Sequence, residues 1–353
     1  MEYTAEILAL DSRLPTASAC FLPKSCNGGS IDSGVPGMMS ADRPWRINST
    51  RQPSPTEPSS VGCGTAVASG VRITVGSFML VIFVGMTKED EVLLEIENHI
   101  ATITLNAPGR MNTISGQMLT QLSQRLLEAD SNPEARVIIL TGAGRAFCAG
   151  LDLGSQAGKT ESLGVLDNTE ANMVEFDIRD APPIVLHNLD TPVICALNGG
   201  AAGYGLDIAL GCDIRIAADT AKMAPGFAKR GILPESGGTW LLPRIVGYAR
   251  AAEIAFTGRT LMADECLELG LVNAVVPADQ LMDSVREMAG EIASNAPLAV
   301  RAIKRMMRAA ETETFEQNVH HVFLQLLPLF RTKDFKEGVS AFIEKRPPRF
   351  IGR

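Results

Sequence analysis

Two glycine-rich segments carry the residue types best suited to chemistry in this chain. The first is Phe147-Cys148-Ala149-Gly150-Leu151-Asp152-Leu153, and the second is Asn198-Gly199-Gly200-Ala201-Ala202-Gly203-Tyr204-Gly205. Each follows a short apolar run of β character, Val137–Leu140 and Pro192–Leu197, and the second leads into a helix-like stretch, Leu206–Leu210. Glycine lets backbone N–H groups come close to a ligand. Two converging N–H groups, one of them at a helix N-terminus, can hold an oxyanion as it develops. The chemistry this implies takes place at a carbonyl.

Other candidates carry less. Cys148 could act as a nucleophile only with an adjacent base, and none is evident, so it reads as packing. His99 falls in a turn between two strands. His320 and His321 are adjacent on a helix and point about 100° apart, which argues against a shared metal. Gly142-Ala143-Gly144 stands near where a dinucleotide loop would be, but no helix follows it. No Gly-x-x-x-x-Gly-Lys-Ser/Thr run is present, so nucleoside triphosphate hydrolysis is not supported. No metal site is expected.

The elements that must position these residues are readable in outline. Val92 to Glu97 and Ile100 to Leu105 alternate, with Asn98-His99 as a hairpin turn. Asn106 to Arg110 is a loop. Met118, Leu119, Leu122 and Leu126 recur at helical spacing and predict a helix from Ser115 to Ala129, ended by Asn132-Pro133. A strand over Val137–Leu140 completes a β–α–β order, which asks for a right-handed crossover under a helix-covered sheet. Residues 154–168 are rich in Gly, Ser and Thr and suit a lid or a plain surface loop. Met173 to Leu189 reads as partly helical and broken at Pro182-Pro183. Val193–Leu197, a helix from about Gly203 and Ile214–Ala217 form a second β–α–β unit. After Ala263 the chain reads as mostly helical.

Composition sets the outer limits. The 353 residues are 46% hydrophobic and 20% charged, enough for a sizeable core. The net charge of -8 offers no basic face for nucleic acid. Seven scattered cysteines without metal-type spacing suit a reducing compartment. Residues 1–85 are Ser-, Pro- and Gly-rich, with six basic and six acidic side chains, and disorder is expected there. They do not resemble an import signal, so the expected location is cytoplasmic, with no membrane attachment. A start at Met86 is the alternative to a native extension. Residues 86–275 are expected to form the β/α core and 276–353 a helical region.

A resemblance covers about residues 90–353. The stretches that carry it are Ile103-Thr104-Leu105-Asn106 with Arg110-Met111-Asn112, Gly142 to Asp152, Ala196 to Gly205, Cys212 to Ala217, and Gly231-Ile232-Leu233-Pro234-Glu235-Ser236-Gly237-Gly238-Thr239. Leu242-Pro243-Arg244, Phe256-Thr257-Gly258, Gly270-Leu271-Val272 and the tail around Phe342 and Lys345 come next in order. In these the chain resembles the enoyl-CoA hydratase/isomerase family of the crotonase superfamily. The resemblance implies an α/β fold, a spiral of ββα units with a C-terminal helical region that forms homotrimers or homohexamers. It implies an acyl-CoA substrate and no separate cofactor, coenzyme A being part of the substrate. The thioester oxygen would lie between the N–H groups of Leu151 and Tyr204. Arg110, Phe147, Ala149, Gly150, Asp152, Gly203, Phe227, Phe342 and Lys345 would bind coenzyme A or the acyl group.

The resemblance also bears on proton transfer. The first of the two glutamates used by family hydratases maps to Asp207, and the second to Phe227, which cannot move a proton. Glu235 stands where several isomerase and aromatic-acyl branches have a catalytic carboxylate, at the start of an expected helix. Moving a proton from C2 to C4 of a 3-enoyl thioester needs one such group and the oxyanion donors. Glu235 is therefore the expected acid/base, with Asp207 a second catalytic candidate and double-bond isomerisation favoured. Hydration through Asp207 and Glu235, isomerisation of ring-epoxide acyl-CoAs, and a silent CoA-binding scaffold are the alternatives.

Overall fold

The fold begins with a hairpin whose geometry comes from two residues. Asn98 and His99 both adopt positive φ, 51° and 66°. That is the turn whose twist matches two antiparallel strands joined by two residues. It joins β1 (Val92–Glu97) to β2 (Ile100–Leu105), with Val92 opposite Leu105. This computed structural model describes residues 90–152 and 178–353. The expectations for residues 1–85 and for the 154–168 loop lie outside the described residues.

From β2 the chain passes through α1 (Gly116–Ser131), whose N-cap Ser115 accepts from the Met118 N–H at 3.0 Å. Next come β3 (Val137–Gly142), β4 (Ala146–Cys148), α2 (Pro182–Asn188), β5 (Val193–Leu197), β6 (Gly200–Ala202), α3 (Tyr204–Gly211), β7 (Ile214–Ala218) and β8 (Lys222–Ala224). After these come α4 (Gly238–Val246), α5 (Tyr248–Thr257), β9 (Leu261–Met262), α6 (Ala263–Glu268) and β10 (Ala274–Val276). Four helices close the chain: α7 (Leu281–Ser294), α8 (Pro297–Ala309), α9 (Phe315–Leu329) and α10 (Lys333–Glu344).

Ten strands make two sheets among the described residues. The larger has the order β1-β2-β3-β5-β7-β10, antiparallel at the hairpin and parallel from β2 onward. Its central strands β3 and β5 are buried along their whole length, as a parallel sheet covered on both faces requires. α7 packs across β3, β5 and β7, and α1 lies against β1 and β2. The smaller sheet, β4-β6-β8-β9, is parallel through β8.

The structure refines two sequence expectations. Pro182-Pro183 stand at a break, after the 3-10 turn Ile178–Asp180, and they also open α2, because the first turn has no use for the missing N–H. Each glycine segment, read as a single turn after one strand, also contains a short strand, β4 in the first and β6 in the second.

α8 is fastened by charge. Arg301, Lys304, Arg305 and Arg308 share one face of the helix at three- and four-residue spacing. They bind Asp130, Asp213 and Asp190, and they also donate to the carbonyls of Asp130, Thr191, His187 and Leu189. α9 is different: it buries no residue, and Phe315, Phe323, Leu324 and Leu327 are exposed.

Candidate active site

The small parallel sheet builds the site. Ala146 pairs with Gly200, Cys148 with Ala201, and Ala202 with Ala224, so β4, β6 and β8 run side by side in one direction. The segments that leave the three strands therefore emerge at the same edge. After β4 comes Gly150-Leu151, after β6 comes Gly203-Tyr204, and after β8 comes Phe227. Parallel α/β sheets characteristically gather ligand sites at their carboxyl edges.

The two backbones approach closely at this edge. Gly150 has φ +95°, and a Cβ there would lie 2.9 Å from the Ala202 carbonyl oxygen and 3.7 Å from the Tyr204 nitrogen. A side chain is thus excluded both by conformation and by space. Ile114 accepts from the Asp152 N–H at 3.1 Å and donates to the Gly150 carbonyl at 2.8 Å. This bridge turns the intervening Leu151 N–H to the other side. Tyr204 is the first residue of α3, whose first-turn N–H groups have no intrahelical partner. Neither the Leu151 nor the Tyr204 N–H donates to a protein acceptor among the described residues.

Two buried or half-buried asparagines hold the first segment. The Asn112 amide donates to the carbonyls of Ala143, Ala146 and Phe147 at 2.9, 2.8 and 3.2 Å and accepts from the Ala107 N–H at 2.8 Å. Asn198 donates to Gly144 at 3.0 Å and accepts from the Gly142 N–H. Both lie in the stretches that carry the family resemblance, but sequence reasoning assigned them no role.

The carboxylates differ sharply. Asp207, one turn into α3, is only 2% exposed. Its Oδ2 accepts from the Ser236 hydroxyl at 2.6 Å. Burial pushes its acid up to about 6, with nearby Glu235 adding to the rise; Ser236 and the peptide N–H groups of Gly238 and Ser236 oppose it. Glu235 is exposed and has no hydrogen-bond partner among the described residues. It does not start the helix as expected. The N-cap of α4 is Gly237, at φ 99°, so Glu235 belongs to the turn before it.

Apolar groups complete the edge. Phe227 is buried, and its ring comes within 3.9 Å of where a Cβ on Gly203 would stand. The Tyr204 side chain is buried, and its phenol is pushed up first by burial and then by Glu235, Asp207 and Cys148. Burial raises the Cys148 thiol to about 12, which keeps it protonated and fits a packing role.

The remaining expected binding residues divide. Ala149 and Asp152 are half-buried beside Leu151, and Gly150 is buried between them. Arg110 ends a short 3-10 turn, where it pairs with Glu91 at 2.9 Å and donates to the Thr113 carbonyl at 3.0 Å. Phe147 is fully buried in β4, so its side chain belongs to the core and only its backbone lies near the turn. Phe342 and Lys345 are exposed at the end of α10 and make no hydrogen bond to either glycine segment.

The chain is similar to known enzymes over most of its length. Residues 95–353 match the enoyl-CoA hydratase/isomerase family. The chain is 38% identical over 266 residues to a 1,2-epoxyphenylacetyl-CoA isomerase of Escherichia coli, spanning 74% of this chain and 98% of the relative. It is 38% identical over 263 residues to an (E)-benzylidenesuccinyl-CoA hydratase of Thauera aromatica, spanning 74% and 99%. The crystal structure of an enoyl-CoA hydratase from Bacillus anthracis matches with a TM-score of 0.68 at 35% identity, over 74% of this chain and 100% of that one. The two sheets and their helices are thus the crotonase fold that the sequence motifs imply. With a family match over most of its length and relatives covered almost end to end, the chain belongs to the enoyl-CoA hydratase/isomerase family and is an enzyme.

Proposed function

We propose that this enzyme shifts the double bond of an enoyl-CoA thioester by proton transfer. The N–H groups of Leu151 and Tyr204 hold the thioester oxygen as negative charge builds on it. Each such donor is worth about 3 kcal/mol at the transition state. Glu235 takes the proton from C2 of a 3-enoyl thioester, the electron pair delocalises through the C3–C4 double bond, and the proton returns at C4. The product is the conjugated 2-enoyl thioester, with no atom gained or lost. Coenzyme A would run past Ala149, Gly150 and Asp152, with Arg110 close by.

One observation carries this reading. Of the two carboxylates, only Glu235 is open to a substrate, while Asp207 is enclosed and bound to Ser236. Hydration asks two groups to place and split water, and Phe227 supplies an apolar ring where the resemblance puts the second. The name of the Escherichia coli relative favours a second isomerase reading, an acyl-CoA bearing a ring epoxide. The exposed apolar face of α9 suits contact between copies of the chain, in keeping with a trimer or hexamer.

The test is incubation of the full chain with trans-3-enoyl-CoA. Unchanged mass and a conjugated product support isomerisation. A product heavier by one water shows hydration and overturns the one-carboxylate mechanism. Unreacted enoyl thioester alongside turnover of the epoxide thioester moves the assignment to the second reading.

A further inference from the structure

The turn that carries Glu235 is weakly held by its own backbone. None of the N–H groups of Leu233, Glu235 and Ser236 donates to a backbone carbonyl among the described residues. Ile232 and Leu233 are exposed. Yet the next side chain, Ser236, is only 2% exposed and donates at 2.6 Å to Asp207, itself equally buried. A hydroxyl-to-carboxylate bond of this length is charge-assisted and stronger than a neutral one.

The carboxylate is closed in from the far side too. A Cβ on Gly238 would lie 2.2 Å from Asp207 Oδ1, so the start of α4 rests directly on it. Asp207 stands three residues after Tyr204 on α3, on the same face of the helix. The element that offers the Tyr204 N–H is therefore joined, through Asp207 and Ser236, to the residue next to Glu235.

We propose that Asp207 and Ser236 are positioning residues: a buried strut between α3 and the Glu235 turn that fixes the Glu235 carboxylate relative to the Tyr204 N–H. In this role Asp207 exchanges no proton with substrate. The inference rests on Glu235 being the acid/base. Misplacing a reacting group by about 1 Å costs on the order of 100-fold in rate, the loss expected when the strut is cut.

An asparagine separates the strut from a proton carrier. Its amide N–H can donate to the Ser236 oxygen while its carbonyl faces the Gly238 N–H, so the link survives without a titratable group. The assay is deuterium uptake at C2 of butyryl-CoA in D2O by the full-length chain, which needs the base and the oxyanion donors but no double bond. The dissociation constant for butyryl-CoA is measured alongside by calorimetry.

Asp207→Asn is expected to stay within about fivefold of wild type. Ser236→Ala and Asp207→Ala are expected to fall roughly 30- to 100-fold with the dissociation constant unchanged. Ser236→Ala removes only one oxygen and keeps the test alive if Asp207→Ala does not fold. Asp207→Asn falling as far as Glu235→Gln would make Asp207 a proton carrier and overturn the proposal. Ser236→Ala exchanging at the wild-type rate would overturn it as well. Wild type that takes up deuterium but leaves trans-3-enoyl-CoA unchanged would refute isomerisation while the variant series still decides the strut. Wild type that takes up none removes Glu235 as the base, and the strut falls with it.

Discussion

Replacing Asp207 by Asn should stabilise this protein, and the gain should depend on pH in a defined window. The ordinary value for an aspartate is near 3.8, and burial raises Asp207 to about 6. The folded state thus holds this proton more tightly than the unfolded state does. Its contribution is most favourable below about 3.8, is lost as the pH climbs to about 6, and is flat above that. The gap between 3.8 and about 6 corresponds to roughly 3 kcal/mol at 1.36 kcal/mol for each tenfold change in proton affinity. Asparagine has no such loss and keeps a partner in Ser236. The melting temperature of Asp207→Asn minus that of wild type should therefore widen from pH 4 to pH 7. For a chain of this size the widening is on the order of 5–10 °C. Differential scanning calorimetry across that range reads it directly. A difference that stays constant from pH 4 to 7 would refute the reasoning, because it would mean that the folded and unfolded chains hold the Asp207 proton equally tightly.

Three other outcomes are expected from particular contacts. Gly150→Ala places a methyl group 2.9 Å from the Ala202 carbonyl at a positive φ. It should cut C2 proton exchange by roughly 100-fold or more, the cost of one misplaced oxyanion donor, measured against its melting temperature. Phe227→Glu returns a carboxylate beside Gly203, and mass spectrometry of its product from a 2-enoyl-CoA should show one added water that wild type does not give. Asp190→Ala strips Arg305 and Arg308 of their shared partner at the base of α8. Burial pushes the Asp190 acid up, but the two guanidinium groups more than reverse this and hold it low. The ion pairs stabilise the fold above the usual aspartate range and fail as pH falls below it. The variant should lose about 1–2 kcal/mol in urea unfolding at pH 7, and less at pH 3.

The parts of the fold that the sequence reveals are those where a local rule decides. Asn98-His99 accepts positive φ and makes the hairpin. Ser115 places its hydroxyl oxygen three residues before Met118, whose N–H it accepts, and starts α1. The parallel strands β3 and β5 are apolar on both faces and long enough to be noticed. β4, β6 and β8 are three residues each and contain Ala, Gly, Cys and Lys as readily as Phe or Met. No alternation can be read in so short a run, and they exist because the larger sheet and α3 hold them together. Pro182-Pro183 show a related limit: the pair marks the break after Asp180, but proline ends a helix from inside and begins one from outside, and only the surrounding chain says that here it also begins α2.

The candidate site was legible in proportion to how much of it is side chain. Its expected oxyanion donors are backbone N–H groups, and a sequence records such groups only through the glycines that make room for them. Gly150 gave that signal because any side chain there would strike the second segment. The link between Asp207 and Ser236 gave none: 29 positions separate them, and neither residue type is unusual where it stands. Asp207 could be read from its place on α3 as a second catalytic carboxylate, and only its enclosure by Ser236 and Gly238 argues for a different use. A charged group with little access to solvent and its strongest partner inside the protein is better suited to holding geometry than to meeting substrate. Loss of its negative charge should then leave the reaction nearly intact, whereas loss of the hydroxyl that grips it should not.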